Sequence, residues 1–191
     1  MSHHFFAYLS RMRHIARWGL MRNTQSENLQ EHSFMTAILA HALALVRQNI
    51  FGLPSDPEAA AVAGLYHDAP ELFTGDMPTP VKYFGPELRD AYRAVEQSAA
   101  NRLLSMLPEA FRDTYRPLLC GGVDSETRAL VRAADKLAAY IKCVEELRAG
   151  NNEFAPAARQ TKEKLEAMER PEVAWFLTHC SPSFMLSLDE L

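Results

Sequence analysis

The stretch GLYHDAPELFTGDMPTP, residues 64 to 80, places His67, Asp68, Glu71 and Asp76 within ten positions, beside three prolines. His67 offers an imidazole nitrogen and Asp68 a carboxylate oxygen, both donors suited to a divalent transition ion. Two ligands do not close a site, so others must come from elsewhere in the chain. His32 and Asp135 are candidates, and with them the shell would hold two imidazoles and two carboxylates. Such a mixed shell suits Mn, Fe, Co, Ni or Zn and leaves positions open for water and a phosphate oxygen, which is the signature of catalysis. Spacing alone does not select His32 and Asp135 from seven histidines and 24 acidic residues. On spacing alone, polar residues closing a helix stand as the other account of His67 and Asp68.

The elements that must position these residues are helical. Residues 29 to 46 are rich in Leu, Ala, Met and Ile, and Asn28 followed three positions later by Glu31 predicts a capped start, with His32 in the first turn or so. His41, nine positions on, falls on the opposite face at about 100° per residue and reads as a partly buried structural histidine. A second helix begins near Asp56, with Pro57 in its first turn and Pro70 forcing an end near Ala69, so that His67 and Asp68 close it. The Gly and Pro content of TGDMPTPVKYFGP predicts a loop, with one short turn around Val81 to Phe84. Helices are expected over roughly 86–107 and 109–119, broken by CGGVD, then over 125–149 and about 155–178. Within 125–149, Leu130, Ala134, Leu137, Ile141 and Val144 recur at helical spacing, and Asp135 stands on the flank of that apolar face. No segment alternates with period two, so the fold class is all-α, a helical bundle.

At 191 residues the chain suits a single domain, 1–191. A hydrophobic fraction of 48% and a charged fraction of 23% argue for a folded globular chain. The formal charge of −4 gives no basic footprint for nucleic acid or an anionic membrane. Cys120, Cys143 and Cys180 are odd in number and in no paired motif, which predicts reduced thiols used in packing and a cytoplasmic protein. The first twenty residues are interrupted by Arg and His, so neither a signal sequence nor a membrane span is expected there.

The split pattern His32, His67-Asp68, Asp135 resembles the HD-domain metal-dependent phosphohydrolases. The blocks FFAYLSRM, RWGLMRN, ENLQEHS, YHDAPELFTGDMPTPVKYF, AADKLAAYIKCVEELRAGNNEF and PSFMLSLDE are similar to the bacterial YfbR-like 5′-deoxynucleotidases, from about residue 5 to the C-terminus. The resemblance implies a single HD domain that hydrolyses 2′-deoxyribonucleoside 5′-monophosphates, selects against ribonucleotides, forms homodimers and uses one divalent transition-metal ion such as Co²⁺ or Mn²⁺. It carries the metal ligands onto His32, His67, Asp68 and Asp135. It gives Arg17, Trp18, His32 and Asp76 to the substrate, with the Arg17 fork on phosphate and the Trp18 indole closing the space of a ribose 2′-hydroxyl. Glu71, three residues past Asp68, is assigned proton relay between attacking water and leaving oxygen, and Asp76 is its second carboxylate. Thr79 and Lys82 would shape the same loop or touch phosphate.

Each assignment has a plainer account. Glu71 could be a favourable charge at a helix start, Asp76 a turn residue, Trp18 a core aromatic and Lys82 a solvated charge. The sequence departs from the family pattern at Pro70, which could shift the backbone before Glu71, and at CGGV, 120–123, a small loop expected near the base. The C-terminal VAWFLTHCSPSFMLSL could supply a dimer contact or close the chain's own core. Another HD phosphohydrolase, acting on a ribonucleotide, a cyclic nucleotide or a guanosine polyphosphate, is the alternative enzyme. A non-catalytic HD signalling module is the alternative of another class. Two-metal HD enzymes need further histidines near the HD pair; only His41 lies between His32 and His67, and none occurs from 69 to 178.

Overall fold

Residues 3–78, 81 and 84–191 are described by the computed structural model. Thr79 and Lys82 lie outside the described residues, as do Pro80 and Tyr83 of the loop and short turn expected there.

Helix starts follow local chemistry. Helix α1, Phe5–Leu9, leads into a 3-10 turn, Ser10–His14. Helix α2, Leu29–Asn49, opens on a reciprocal box: Asn28 Oδ1 accepts from Gln30 N and Glu31 N at 3.0 Å, and Glu31 Oε2 accepts from Asn28 N at 3.0 Å. Helix α3, Pro57–Tyr66, has Asp56 as its cap, accepting from Ala59 N at 2.9 Å, and Pro57 where a missing N–H costs no bond. Its last helical residue is Tyr66, three short of the expected Ala69, so His67 is the cap and Asp68 lies in the turn beyond it. A short α4, Glu71–Thr74, follows, with Pro70 in helical geometry as its cap. Pro70 thus caps α4 and sets Glu71 at its first position, while α3 has already ended at Tyr66.

Helices α5, Pro86–Ser105, α6, Glu109–Leu119, and α7, Ser125–Arg148, match the expected runs within two residues. The last expected helix is two: α8, Ala155–Glu166, and α9, Pro171–His179. Arg170 precedes a proline and is extended at φ −101°, ψ 123°, and Glu169 is left-handed at φ 51°. Periodicity on both sides of that break concealed it.

Helices α2, α3 and α7 pack on one another around Leu39, Leu43, Ala63, Leu130 and Leu137. Gly64 sets the α2–α3 spacing, because a Cβ there would stand 2.7 Å from Ala37 Cα. His41 is half-buried, as its face predicts. Val173 and Phe176 of α9 belong to the same core, so part of the apolar C-terminal segment closes this chain's own interior. All three cysteines are free, and Cys143 is buried against Phe154 and Ala158. Among the described residues no helix is long and apolar enough to cross a membrane. The all-α reading holds, with one extended contact added: an antiparallel bridge between Ala16 and Asn28, in which Arg17 N donates to Glu27 O and Leu29 N to Ile15 O, both at 2.9 Å.

Candidate active site

His32 sits one turn into α2 with no solvent exposure, and its Nε2 lies 3.2 Å from Asp135 Oδ1 on α7. Asp68 Oδ2 lies 3.6 Å from the same nitrogen and 3.0 Å from His67 Nε2. His67 Nδ1 donates to Gly64 O at 2.7 Å, which in a neutral ring leaves Nε2 with its lone pair facing the site. That Nε2 is buried and makes no hydrogen bond, with the Asp68 carboxylate approaching it as an ion-pair partner. Ligand atoms of His32, His67 and Asp135 all lie within 4.8 Å of one another, and Asp68 borders them. Two imidazoles and two carboxylates brought together in this way fit a divalent transition ion.

The electrostatics of the metal-free cluster reflect the same crowding. Burial opposes charge on His67, but Asp68 and then Asp135 outweigh it and push its pKa up to about 9. Desolvation would raise Asp68, but His67 and His32 hold it at about 2, while the His32 and His67 rings beside Asp135 hold that half-buried carboxyl well below the carboxylate range. Protons thus stand where a cation would, and a bound ion would displace them.

Arg17 enters from the segment before α2. Its Nη1 lies 3.6 Å from Asp68 Oδ2 and 3.4 Å from Asp76 Oδ1, and its Nε donates to Glu27 Oε2 at 3.3 Å. Burial disfavours its charge, but Asp68, Asp76 and Glu27 hold the guanidinium charged. Trp18 follows with a left-handed backbone, φ 58°, its Nε1 donating to Glu27 Oε2 at 2.8 Å and its ring 5.3 Å from that of Phe154. Asp76 reaches Arg17 because Gly75, at φ 73°, turns the chain out of α4. Glu71 is buried at the start of α4.

A cavity of about 710 Å³ is lined by Arg17, Trp18, Asp68, Glu71, Asp76 and Asp135. A second, of about 570 Å³, shares Asp68, Glu71 and Asp135 but opens past Arg93 and Arg132. Gly121 and Val123 line this second cavity, so the small loop and the Arg17-Trp18 pair face the carboxylates from different cavities.

The residues singled out from sequence therefore lie together: Arg17, His32, His67, Asp68, Asp76 and Asp135 in one chain of contacts, with Trp18 and Glu71 on the same cavity wall. Glu27 was missed. It lies inside the ENLQEHS block, but the capping box explains Asn28 and Glu31 and leaves Glu27 without a local role; only its pairing with the Arg17 segment reveals one.

A family model described as 5′-deoxynucleotidase YfbR-like matches residues 4–184. A 5′-deoxynucleotidase of Vibrio atlanticus (strain LGP32) is 50% identical over 189 residues, 98% of this chain and 97% of its own length. A crystal structure of an HD-domain phosphohydrolase from Listeria innocua superposes with a TM-score of 0.82 at 28% identity, over 97% of this chain and 90% of that one. The cyanophage S-2L HD phosphohydrolase DatZ, solved with dA and one catalytic Zn²⁺, shares the fold at a TM-score of 0.64 and 22% identity, over 94% of this chain and 95% of that one.

Proposed function

The chain belongs to the YfbR-like 5′-deoxynucleotidase family of phosphohydrolases, and from that membership we propose the following division of labour. The substrates are 2′-deoxyribonucleoside 5′-monophosphates, cleaved to deoxynucleoside and phosphate in preference to ribonucleotides. One divalent transition-metal ion is held by His32, His67, Asp68 and Asp135 in a single HD domain, 1–191. The observation that carries this reading is the convergence of His32, His67 and Asp135 within 4.8 Å, beside Arg17 and at the wall of an open cavity.

When bound, the ion lowers the pKa of a water and polarises a phosphoryl oxygen. Water attacks phosphorus, the bond from phosphorus to the 5′ oxygen breaks, and the proton lost by the water goes to that oxygen. Glu71 moves this proton; its burial beside the cluster suits a group that must exchange one. Arg17 binds the phosphate, since it lies between Asp68 and Asp76 and carries a fixed charge. Asp76 holds Arg17 and orients the water or a sugar hydroxyl. Trp18, braced on Phe154, gives the sugar pocket a stiff wall, which is what rejection of one added hydroxyl requires.

Reduced cysteines fit a cytoplasmic enzyme. A homodimer has apolar surface available in Phe34 and Ile38 of α2 and in Met185 and Leu186.

The test is phosphate release from dAMP and from AMP, on chelator-stripped protein resupplied in turn with Co²⁺, Mn²⁺, Zn²⁺ and Mg²⁺. Metal-dependent release from dAMP in preference to AMP is expected. Equal release from both would remove the sugar-selecting role of Trp18, and no release with any metal would overturn the substrate assignment.

A further inference from the structure

Glu27 occupies a position that no part of the reaction described above uses. Its backbone is tied to the Arg17 segment, with Arg17 N donating to Glu27 O at 2.9 Å beside the Ala16–Asn28 bridge. Its side chain is 15% exposed and spends its two oxygens on different partners. Oε2 accepts from Trp18 Nε1 at 2.8 Å and from Arg17 Nε at 3.3 Å. Oε1 faces His32 Nδ1 at 3.8 Å. That nitrogen is buried and has no hydrogen-bond partner, while Nε2 of the same ring points at Asp135 and Asp68.

We propose that Glu27 is the positioning residue that holds the Arg17-Trp18 recognition pair and the proposed metal ligand His32 in one register. The proposal rests on the assignment of those residues given above. Three features make a single carboxylate suited to it.

A ligating histidine needs an acceptor on its other nitrogen to fix the tautomer and the ring plane, and carboxylates are the usual choice. Glu27 is the carboxylate on the Nδ1 side of His32, whereas Asp68 and Asp135 are on the Nε2 side.

Trp18 is held in a left-handed backbone conformation that bulky residues rarely adopt, φ 58°. Such a conformation persists only when its surroundings fix it. Here the fastenings are the Glu27 bond to the indole, the Phe154 ring, and the Trp18 carbonyl, which accepts from Met21 N at 2.9 Å and from Asn23 Nδ2 at 3.3 Å.

Arg17 would otherwise be drawn wholly to Asp68 and Asp76. By taking Nε, Glu27 aims the guanidinium so that Nη1 alone approaches those carboxylates. The sugar-selecting wall, the phosphate-binding cation and the orientation of a metal ligand therefore share one anchor.

The test uses Glu27→Gln, which keeps the shape, removes the charge and brings an amide N–H toward donors. It is made in a Trp175→Phe background, so that Trp18 is the one remaining tryptophan. Two readouts need no substrate: Co²⁺ affinity by calorimetry on stripped protein, and the emission maximum of Trp18. A third is the ratio of kcat/KM for dAMP over AMP. Expected are a loss of Co²⁺ affinity of roughly 10–100-fold, the range for an outer-shell partner, a red-shifted Trp18 emission and a lower dAMP:AMP ratio. The ratio is expected to fall less when Glu27→Gln is added to Trp18→Phe, which has no indole N–H to lose.

Wild-type Co²⁺ affinity together with unchanged Trp18 emission in Glu27→Gln overturns the proposal. If the parent protein releases no phosphate from dAMP, the substrate assignment falls, and the affinity and emission measurements still decide the role of Glu27. Should Glu27→Gln not fold, Glu27→Asp keeps the charge and shortens the reach, and is judged by the same two measurements.

Discussion

His32 and Asp135 are 103 positions apart in the chain and meet with Nε2 3.2 Å from Oδ1, one fully buried in α2 and the other at the edge of the α7 core face. If both are ligands, neither can be lost without opening the shell. Asp135→Ala is expected to weaken Co²⁺ binding by more than the ~10–100-fold that loss of an outer-shell partner costs and to abolish turnover at metal concentrations that saturate the parent. Calorimetry and metal content after desalting check this; one tightly bound ion per chain in the variant would remove Asp135 from the shell.

Glu71 is expected to separate from the ligands in its behaviour. Glu71→Gln keeps the side-chain volume and cannot take a proton, so kcat is expected to fall by ~10²–10⁴, with Co²⁺ affinity and KM for dAMP close to those of the parent. A variant that turns over at full rate with metal bound would move the proton relay elsewhere.

The pKa of His67 gives a pH dependence with a definite sign. Its value in the folded metal-free protein is raised to about 9 from 6.5, so its stabilising contribution is complete below 6.5 and is lost as pH rises through 9. Stripped protein should therefore lose thermal stability across that window. The ion competes with the same proton, so Co²⁺ affinity should rise over the same range and loading should release protons. Melting temperatures with and without Co²⁺, and proton release in buffers of different ionisation enthalpy, test the two halves separately.

Gly64 should be intolerant of a side chain. A Cβ there would lie 2.7 Å from Ala37 Cα, 3.0 Å from Ala37 N and 3.3 Å from the Thr36 carbonyl carbon, all backbone atoms, so α2 and α3 must part. Overpacking of this kind costs about 1–3 kcal/mol. Because Gly64 O also accepts from His67 Nδ1, Gly64→Ala is expected to lower Co²⁺ affinity as well as melting temperature. Gly85→Ala, at the N-cap of α5 in extended backbone at φ −174° with nothing within 4 Å, serves as the control: it should lose no more than ~1 kcal/mol, the usual cost of Ala at such a position, and leave Co²⁺ affinity at that of the parent.

The loop before Glu27 hangs on Glu146, which is 1% exposed. Its carboxylate accepts from Thr24 N at 2.9 Å, Thr24 Oγ1 at 2.7 Å, Gln25 N at 3.1 Å and Asn151 Nδ2 at 2.8 Å, and from Lys142 Nζ. Glu146→Ala strands the buried Lys142 charge, a loss on the order of 3–5 kcal/mol, and frees residues 24 and 25. A drop in melting temperature of roughly 10 °C and a raised KM for dAMP are expected, with Glu146→Gln intermediate in both. An unchanged KM in a destabilised variant would show that the latch serves stability alone.

Much of this was legible in the chain itself because its causes are local. The Asn28–Glu31 box, Pro57 behind Asp56, and the apolar stripe that leaves Asp135 on its flank are consequences of residues within one or two turns of each other. The His67-Asp68 pair with Glu71 and Asp76 beyond it announced ionisable chemistry at the end of a helix. The partners His32 and Asp135 were not selected by spacing. They came from the resemblance of several ordered blocks to one family.

Tertiary structure decided what depends on segments distant in sequence. The break at Glu169 and Arg170 divides a run that periodicity joined, because two helices with compatible apolar faces look like one until the backbone between them is seen. The close approach of Gly64 to Ala37, the placing of the 120–123 loop on a different cavity from Trp18, and the role of Glu27 all arise from chain segments meeting in space. Glu27 is the clearest case. Its one local signal is a carboxylate before a capping box, and its meaning comes from a bridge between Ala16 and Asn28 that sets it beside Arg17, Trp18 and His32 at once.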